Sequence, residues 1–273
     1  MQLTGIFVYP VKSLGGLSVP TRAVDSLGLA GDRRFMVVDP NGRPVTQRSI
    51  PRMALVRTEI DSTTLKLSSP EAGSIEVAQN PSARGPVRRV SVWSTEGLLA
   101  DDCGDAPAAW LSNCLRVPCR LVQIGPDFER PIVDPRAQPI DRVTFADAHP
   151  FLAISEASLA DLNDRLIRQG QDTLPMNRFR PNLVVSGCAA FAEDGWTRIK
   201  IGDLIFRSGG PCSRCVMTTT NQATAEVGKE PLRTLATYRR ATAKPSDINF
   251  GVNLIHETKS GTLRVGDKVE LLQ

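Results

Sequence analysis

Short β-type runs broken by turn residues fill the first hundred positions and restrict the chain to few architectures. Gln2 to Val8, Arg33 to Asp39, Arg43 to Thr46, Ala54 to Ile60, Thr64 to Ser68 and Val87 to Trp93 form the series. Strands so short and so closely spaced build barrels or sandwiches. Asn41-Gly42 falls between two of these runs, and an Asn-Gly pair accepts the positive φ of a two-residue type I′ hairpin turn. A hairpin is expected there.

Helical signals are sparse. Asp105 is expected to cap a helix through Pro107-Ala108-Ala109-Trp110-Leu111, followed by a strand from Cys119 to Ile124. A polar, Pro-rich stretch over 125–145 then reads as a domain junction. Beyond it, a strand at Phe151 to Ile154 leads into an amphipathic helix that Ser155 and Ser158 can cap and that ends near Gly170. A further strand is expected at Asn182 to Ser186. Ile201-Gly202-Asp203-Leu204 and Val265-Gly266-Asp267-Lys268 repeat a Gly-Asp turn between apolar strands, as a bent barrel requires. The expected fold is mainly β with some α.

Several function classes drop out. No glycine cluster has the spacing of a phosphate-cradling nucleotide loop. The net charge of +4 is spread along the chain and aromatic residues make up 5%, which argues against nucleic acid. No apolar run approaches the roughly 20 residues of a membrane helix. The N-terminus begins directly as a strand, without a basic leader or cleavable apolar core, so a cytoplasmic protein is expected. In that compartment, 6 cysteines and 2 histidines argue against both a disulfide framework and a His-rich centre.

The sharpest chemical feature is Gly209-Gly210-Pro211-Cys212-Ser213-Arg214-Cys215, read as a CxxC on a tight turn before a strand at Val216 to Thr219. Structural zinc needs four ligands, and neither Cys114 with Cys119 nor the isolated histidines complete such a set. A thioredoxin-like dithiol needs a helix after the motif, whereas β-branched residues follow here. A third reading makes one sulfur the ligand of a soft metal, with Arg214 holding Cys215 ionised. Two merely buried cysteines remain the fourth. Elsewhere, Lys12-Ser13 sits between a strand and a glycine-rich turn whose amides can face an anion. Arg33-Arg34 and Arg178-Phe179-Arg180-Pro181-Asn182 each place at least one guanidinium at a strand end.

Together, YPVKSLGG, GDRRFMVV, FLAISEASLADLN, RFRPNLVVSG, PCSRCVMTTT, KEPLRTLATYR and VGDKVELL resemble, in order and spacing, the MOSC family of molybdenum-cofactor proteins. Within it the likeness is to enzymes that reduce and so detoxify amidoximes and N-hydroxylated bases. The resemblance implies an N-terminal MOSC β-barrel domain over 1–124 and a MOSC domain over 125–273. It implies a pyranopterin molybdenum cofactor held by the thiolate of Cys215, with Cys212 structural or nearby. Lys12, Ser13, Arg34, Arg180, Asn182, Ser213 and Arg214 fall on positions that contact the pterin or its phosphate. Such cations suit a dianionic phosphate, which Arg reads bidentately and Lys meets as a point charge.

The implied reaction is reduction of an N-hydroxylated small molecule to amine and water. Cys215, Asp147 and His149 are the catalytic candidates, the last two as proton donors. His149 and Asn221-Gln222-Ala223 depart from the family pattern and are expected at the substrate entrance. The chain stops at Leu271-Leu272-Gln273, where some relatives continue into a ferredoxin-like domain. A separate electron donor of ferredoxin, flavoprotein or cytochrome type is therefore expected. The rival implication is a cofactor carrier or sulfur-transfer protein that binds without turnover.

Overall fold

A computed structural model of the chain describes residues 1–79 and 85–272; Gln273 lies outside the described residues. The first half contributes β1 (Gln2–Val8), β2 (Leu17–Val19), β3 (Thr21–Asp25), β4 (Gly28–Leu29), β5 (Phe35–Val38) and β6 (Arg57–Ile60). Then come β7 (Thr64–Ser69), β8 (Gly73–Ala78), β9 (Val87–Val92), β10 (Thr95–Asp102), helix α1 (Asp105–Leu115) and β11 (Arg120–Ile124). The second half supplies β12 (Phe151–Ser155), α2 (Glu156–Arg168), β13 (Leu183–Ser186), β14 (Arg198–Ile201) and β15 (Leu204–Ser213). It ends with α3 (Leu232–Leu235), β16 (Asn249–His256), β17 (Gly261–Arg264) and β18 (Val269–Leu271). The fold is mainly β with some α, as expected.

An 8-stranded sheet runs β18-β14-β15-β16-β12-β13-β1-β2. Its ends meet, because Leu3 N–H donates to Asp267 O and Val269 N–H to Met1 O, each at 2.9 Å. The barrel so formed is filled by alternate residues of its strands, among them Leu3, Ile6, Phe151, Val185, Ile199, Phe206, Val252 and Leu254. Strands β1 and β2 thus sit in a sheet built otherwise from the second half, and β3 pairs with β17. The boundary expected at 124 does not coincide with a boundary between sheets.

In a second sheet, β5-β11-β10-β9, strand β5 is buried on both faces. Phe35 and Val37 of β5 point toward α1 and the β6-β7-β8 sheet, while Met36 and Val38 point toward Val90, Val122 and Phe145. That accounts for its unbroken apolar run FMVV, which shows no alternation. On the barrel's outer face, Leu162 and Leu166 of α2 pack with Leu152, Ile154, Phe179, Leu235 and Phe250.

Several local expectations are corrected. The turn at Asn41-Gly42 exists, but only Gly42 has positive φ (77°); Gly42 N–H donates to Asp39 O at 3.0 Å and Asp39 N–H to Arg43 O at 2.9 Å. This is a longer loop with glycine at the left-handed position, which the preceding Asp39-Pro40 favours over type I′. The run Arg43 to Thr46 makes only an isolated bridge, Val38 to Pro44. Ala54 belongs to a 3-10 turn, Pro51–Leu55, that Pro51 starts before β6. Asp105 is the first residue of α1, with Gly104 at the cap and Asp102 Oδ1 accepting from Gly104 N–H at 2.7 Å. Residues Val216–Thr219 form a 3-10 turn capped by Cys215, since the hydroxyls of Thr218 and Thr219 bond back to carbonyls three residues earlier. The Gly202-Asp203 turn joins paired strands, whereas Gly266-Asp267 carries the chain from β17 to β18 in a different sheet.

Candidate functional site

A cleft of about 630 Å³ lies where the loop after β1, the stretch preceding β12, the 178–182 segment and the end of β15 converge. Lys12 N–H is tied to Phe35 O at 2.9 Å, which swings its side chain under the 144–147 segment. Its ammonium donates to Phe145 O at 2.8 Å and to the Asp147 carboxylate. Burial pushes the Lys12 pKa down, and Asp147 opposes that shift. For Asp147, burial raises the pKa, but the Lys12 charge and hydrogen bond, with Arg48 beyond, outweigh it and hold the carboxyl well below the usual range. Asp147 is therefore ionised at neutral pH, where its carboxylate accepts hydrogen bonds and has no proton of its own to donate.

Next in the chain, Ser13 adopts a left-handed φ of 67° and is 3% exposed. Its Oγ has no partner among the described residues. Arg180, also left-handed at φ 54°, donates to Leu14 O at 2.6 Å. Arg33 and Arg180 both stack on the Tyr9 ring at 4.2 Å. Burial and the Arg33 charge lower the Arg180 pKa to about 10, so it remains a cation at neutral pH. Burial pushes Tyr9 up to about 12 against the pull of both guanidiniums. Arg130 straps the 144–147 segment by donating to the carbonyls of Thr144, Ala146 and Asp147 at 2.8, 2.5 and 2.7 Å.

The sulfurs sit where β15 ends. Arg214 Nη1 reaches Cys212 Sγ at 2.9 Å, and its Nη2 donates to Phe179 O at 2.6 Å. The sulfur of Cys215 faces Arg48 Nη1 at 3.7 Å instead. The pairing of Arg214 with Cys215 expected from adjacency is therefore corrected: neighbouring side chains on the extended segment diverge, and Arg214 turns back to the sulfur two residues earlier. Opposite, His149 Nε2 meets Asp134 Oδ2 at 3.2 Å, and its ring edge lies against Gly209, where any Cβ would sit 2.6 Å from His149 Cδ2. Burial pushes the His149 pKa down despite Asp134, keeping the ring neutral.

The lining carries Lys12, Arg33, Arg130, Arg178, Arg180, Arg214 and Lys244 against the carboxylates Asp147 and Asp247. Ser13 Oγ, Arg130 Nε, His149 Nδ1 and Arg214 Nε are buried there with no partner among the described residues. Orphaned buried polar groups cost about 1–3 kcal/mol each. A polyanionic ligand rich in acceptors fits the hydroxyl and guanidinium donors of this set, and two sulfurs, Cys212 and Cys215, line the same cleft.

A MOSC N-terminal beta barrel domain matches residues 1–118, and a MOSC domain matches residues 140–270. The chain belongs to the MOSC family. This MOSC chain is 36% identical to mitochondrial amidoxime-reducing component 1 of Mus musculus, over 98% of the chain and 81% of the relative. The Homo sapiens protein of the same name is also 36% identical, over 98% of the chain and 82% of the relative. Molybdenum cofactor sulfurase of Solanum lycopersicum is 33% identical over 98% of the chain and 35% of that protein.

Of the residues singled out in the MOSC sequence, Lys12, Ser13, Asp147, His149, Arg180, Asn182, Ser213, Arg214 and Cys215 all line the cleft. Asn182 is committed: its Oδ1 accepts from Leu152 N–H and its Nδ2 donates to Phe7 O, both at 3.2 Å, pinning three strands together. Arg34 is not brought in; it makes a two-pronged bond to Asp25 at 2.6 and 2.8 Å, and Arg33 takes its place in the cleft. Asn221-Gln222-Ala223 stays outside the lining, where Gln222 pairs with Gln47 at 3.0 Å. Arg48, Arg130 and Trp93 were not singled out from the sequence. Arg48 and Arg130 stand outside any motif, and only the exposed Trp93 at a strand end carried a signal. No helix among the described residues is long and apolar enough to cross a membrane.

Proposed function

We propose that this chain is a molybdenum-cofactor-dependent reductase of N-hydroxylated compounds such as amidoximes, hydroxylamines and N-hydroxy bases. The observation that carries the reading is a pair of cysteine sulfurs, Cys212 and Cys215, in a cation-lined cleft whose buried hydroxyl and guanidinium groups include donors without a partner among the described residues. Names of relatives containing "amidoxime-reducing" support it. The bound cofactor supplies two electrons for cleaving the N–O bond, so that N–OH, two electrons and two protons give N–H and water.

The protein's part follows from its geometry. Cys215 is the sulfur ligand in this reading. Lys12, Arg33, Arg180 and Arg214 offset the charge of the pterin phosphate, and the hydroxyls of Ser13 and Ser213 complete the cradle. Asn182 positions the strand ends that carry Arg180 and His149. Asp147 keeps the Lys12 ammonium in place and acts as an acceptor. With Nε2–H turned to Asp134, His149 keeps a lone pair on Nδ1, so it delivers a proton only after taking one up there. Electrons arrive from a separate donor protein of ferredoxin, flavoprotein or cytochrome type.

The test is purification from cofactor-competent cells, measurement of molybdenum per chain, and assay of benzamidoxime reduction with a chemical electron donor. Turnover with near-stoichiometric molybdenum is expected. Full molybdenum without turnover would leave a carrier and contradict the proposal.

A further inference from the structure

Beside the main cleft lies a recess of about 350 Å³ lined by Lys12, Arg43, Thr46, Arg48, Ser91 and Trp93, with Glu96 at its rim. Lys12 is paired with Asp147, whose carboxyl also feels the Arg48 charge, but neither Arg43 nor Arg48 makes a salt bridge among the described residues. Arg48 spans the two cavities: Nη1 lies 3.7 Å from Cys215 Sγ, while the guanidinium lies 4.5 Å from the Trp93 ring centroid. Trp93 itself is 57% exposed and held at φ 55°, in the turn between β9 and β10. A bulky residue in the left-handed region is a strained arrangement, and here it stations an indole at the joint mouth of both cavities.

Guanidiniums without a salt bridge, flanked by two hydroxyls, suit an anion with several acceptor oxygens. The aromatic beside them suits a planar group that leads from the anion toward Cys215. We infer that the recess is an anion subsite that grips a carboxylate or phosphate borne by the substrate, so that planar, anionic N-hydroxylated compounds are the preferred substrates. This rests on the reductase reading. The anionic end lies over Arg43 and Arg48, the planar body crosses Trp93, and the N–OH end reaches the sulfur edge.

The test compares holoenzyme KM values for benzamidoxime and 4-carboxybenzamidoxime with a chemical electron donor. A preference of about 5-fold for the carboxylated compound is expected, the size of one or two partly exposed ion pairs. In Arg43→Glu that ratio should fall to one or invert. Equal KM values in the parent enzyme, or a ratio untouched by Arg43→Glu, would overturn the inference. Loss of molybdenum in Arg43→Glu would assign the recess to the cofactor and overturn it equally.

A second readout is independent of turnover. Trp93 is exposed, with its indole N–H turned to Asp147, whereas Trp196 is 4% exposed and Trp110 is tied to Ala72 O at 2.8 Å. Titrating the holoenzyme with 4-carboxybenzamidoxime should change a fluorescence signal that Trp93→Phe abolishes, and benzamidoxime should need about 5-fold higher concentration. This holds even if the enzyme proves unable to reduce either compound, which separates failure of the subsite from failure of the reductase reading. Inorganic phosphate alone is the control for a free anion. Binding of phosphate without any advantage for the carboxylated compound would make the recess a site for free anions and reject the substrate role.

Discussion

At the residue scale, the cleft shows which guanidiniums hold backbone and which face the cavity. Arg130 is 5% exposed and spends its donors on three carbonyls, while burial lowers its pKa to about 10. Arg130→Met should remove those bonds and strand the carbonyls, lowering stability by about 3 kcal/mol in urea denaturation. An unchanged midpoint would show that the 144–147 segment holds its course alone. Lys12, Arg180 and Cys215, which the fold brings to one cleft, stood out in the sequence because each lies in a contiguous motif. It misplaced Arg34 because adjacent residues entering a strand point to opposite sides, and nothing local marks Asp25 as the partner that captures one of them. It missed Arg48 and Arg130, whose roles arise only when distant loops meet.

At the element scale, α2 shows how a cap is wired into the fold. Ser155 Oγ accepts from Ser158 N–H at 3.0 Å, and Ser158 Oγ donates to the buried Glu193 carboxylate at 2.7 Å. Ser155→Ala should cost about 1–2 kcal/mol, read as a lowered urea midpoint, whereas Ser155→Thr should retain most of it. Equal losses in both variants would show that packing, not the cap, governs. This helix was legible because cap and apolar face are local signals. The 3-10 turn after Cys215 was not: β-branched residues read as a strand, and the Thr hydroxyls' bonds to preceding carbonyls decide otherwise. Barrel closure was equally invisible, since Leu3 and Asp267 lie at opposite ends of the chain.

At the scale of the whole molecule, stability depends on pH through the buried His256. It is 0% exposed, its Nε2 lies 2.8 Å from Asp25 O, and burial lowers its pKa from 6.5 to about 4. Folding therefore favours the neutral ring. The contribution is fully present above pH 6.5 and is lost as pH falls through about 4. The full contribution is about 3 kcal/mol. Urea midpoints measured from pH 7.5 down to 4.5 should fall less steeply in His256→Gln than in the parent. Parallel pH profiles would remove His256 from the account. The barrel and the second sheet together bring sulfur, cations and recess to one mouth, and no segment of the sequence contains that mouth by itself.

The central claim is that Cys215 carries the metal of the cofactor, and molybdenum per chain in Cys215→Ala and Cys212→Ala tests it most directly. Both proteins should be purified folded from the same cofactor-competent cells, with the parent alongside. The account predicts that Cys215→Ala loses the metal and benzamidoxime reduction while Cys212→Ala retains most of both. Retention in Cys215→Ala with loss in Cys212→Ala would reverse the assignment, and undiminished molybdenum in both would contradict it.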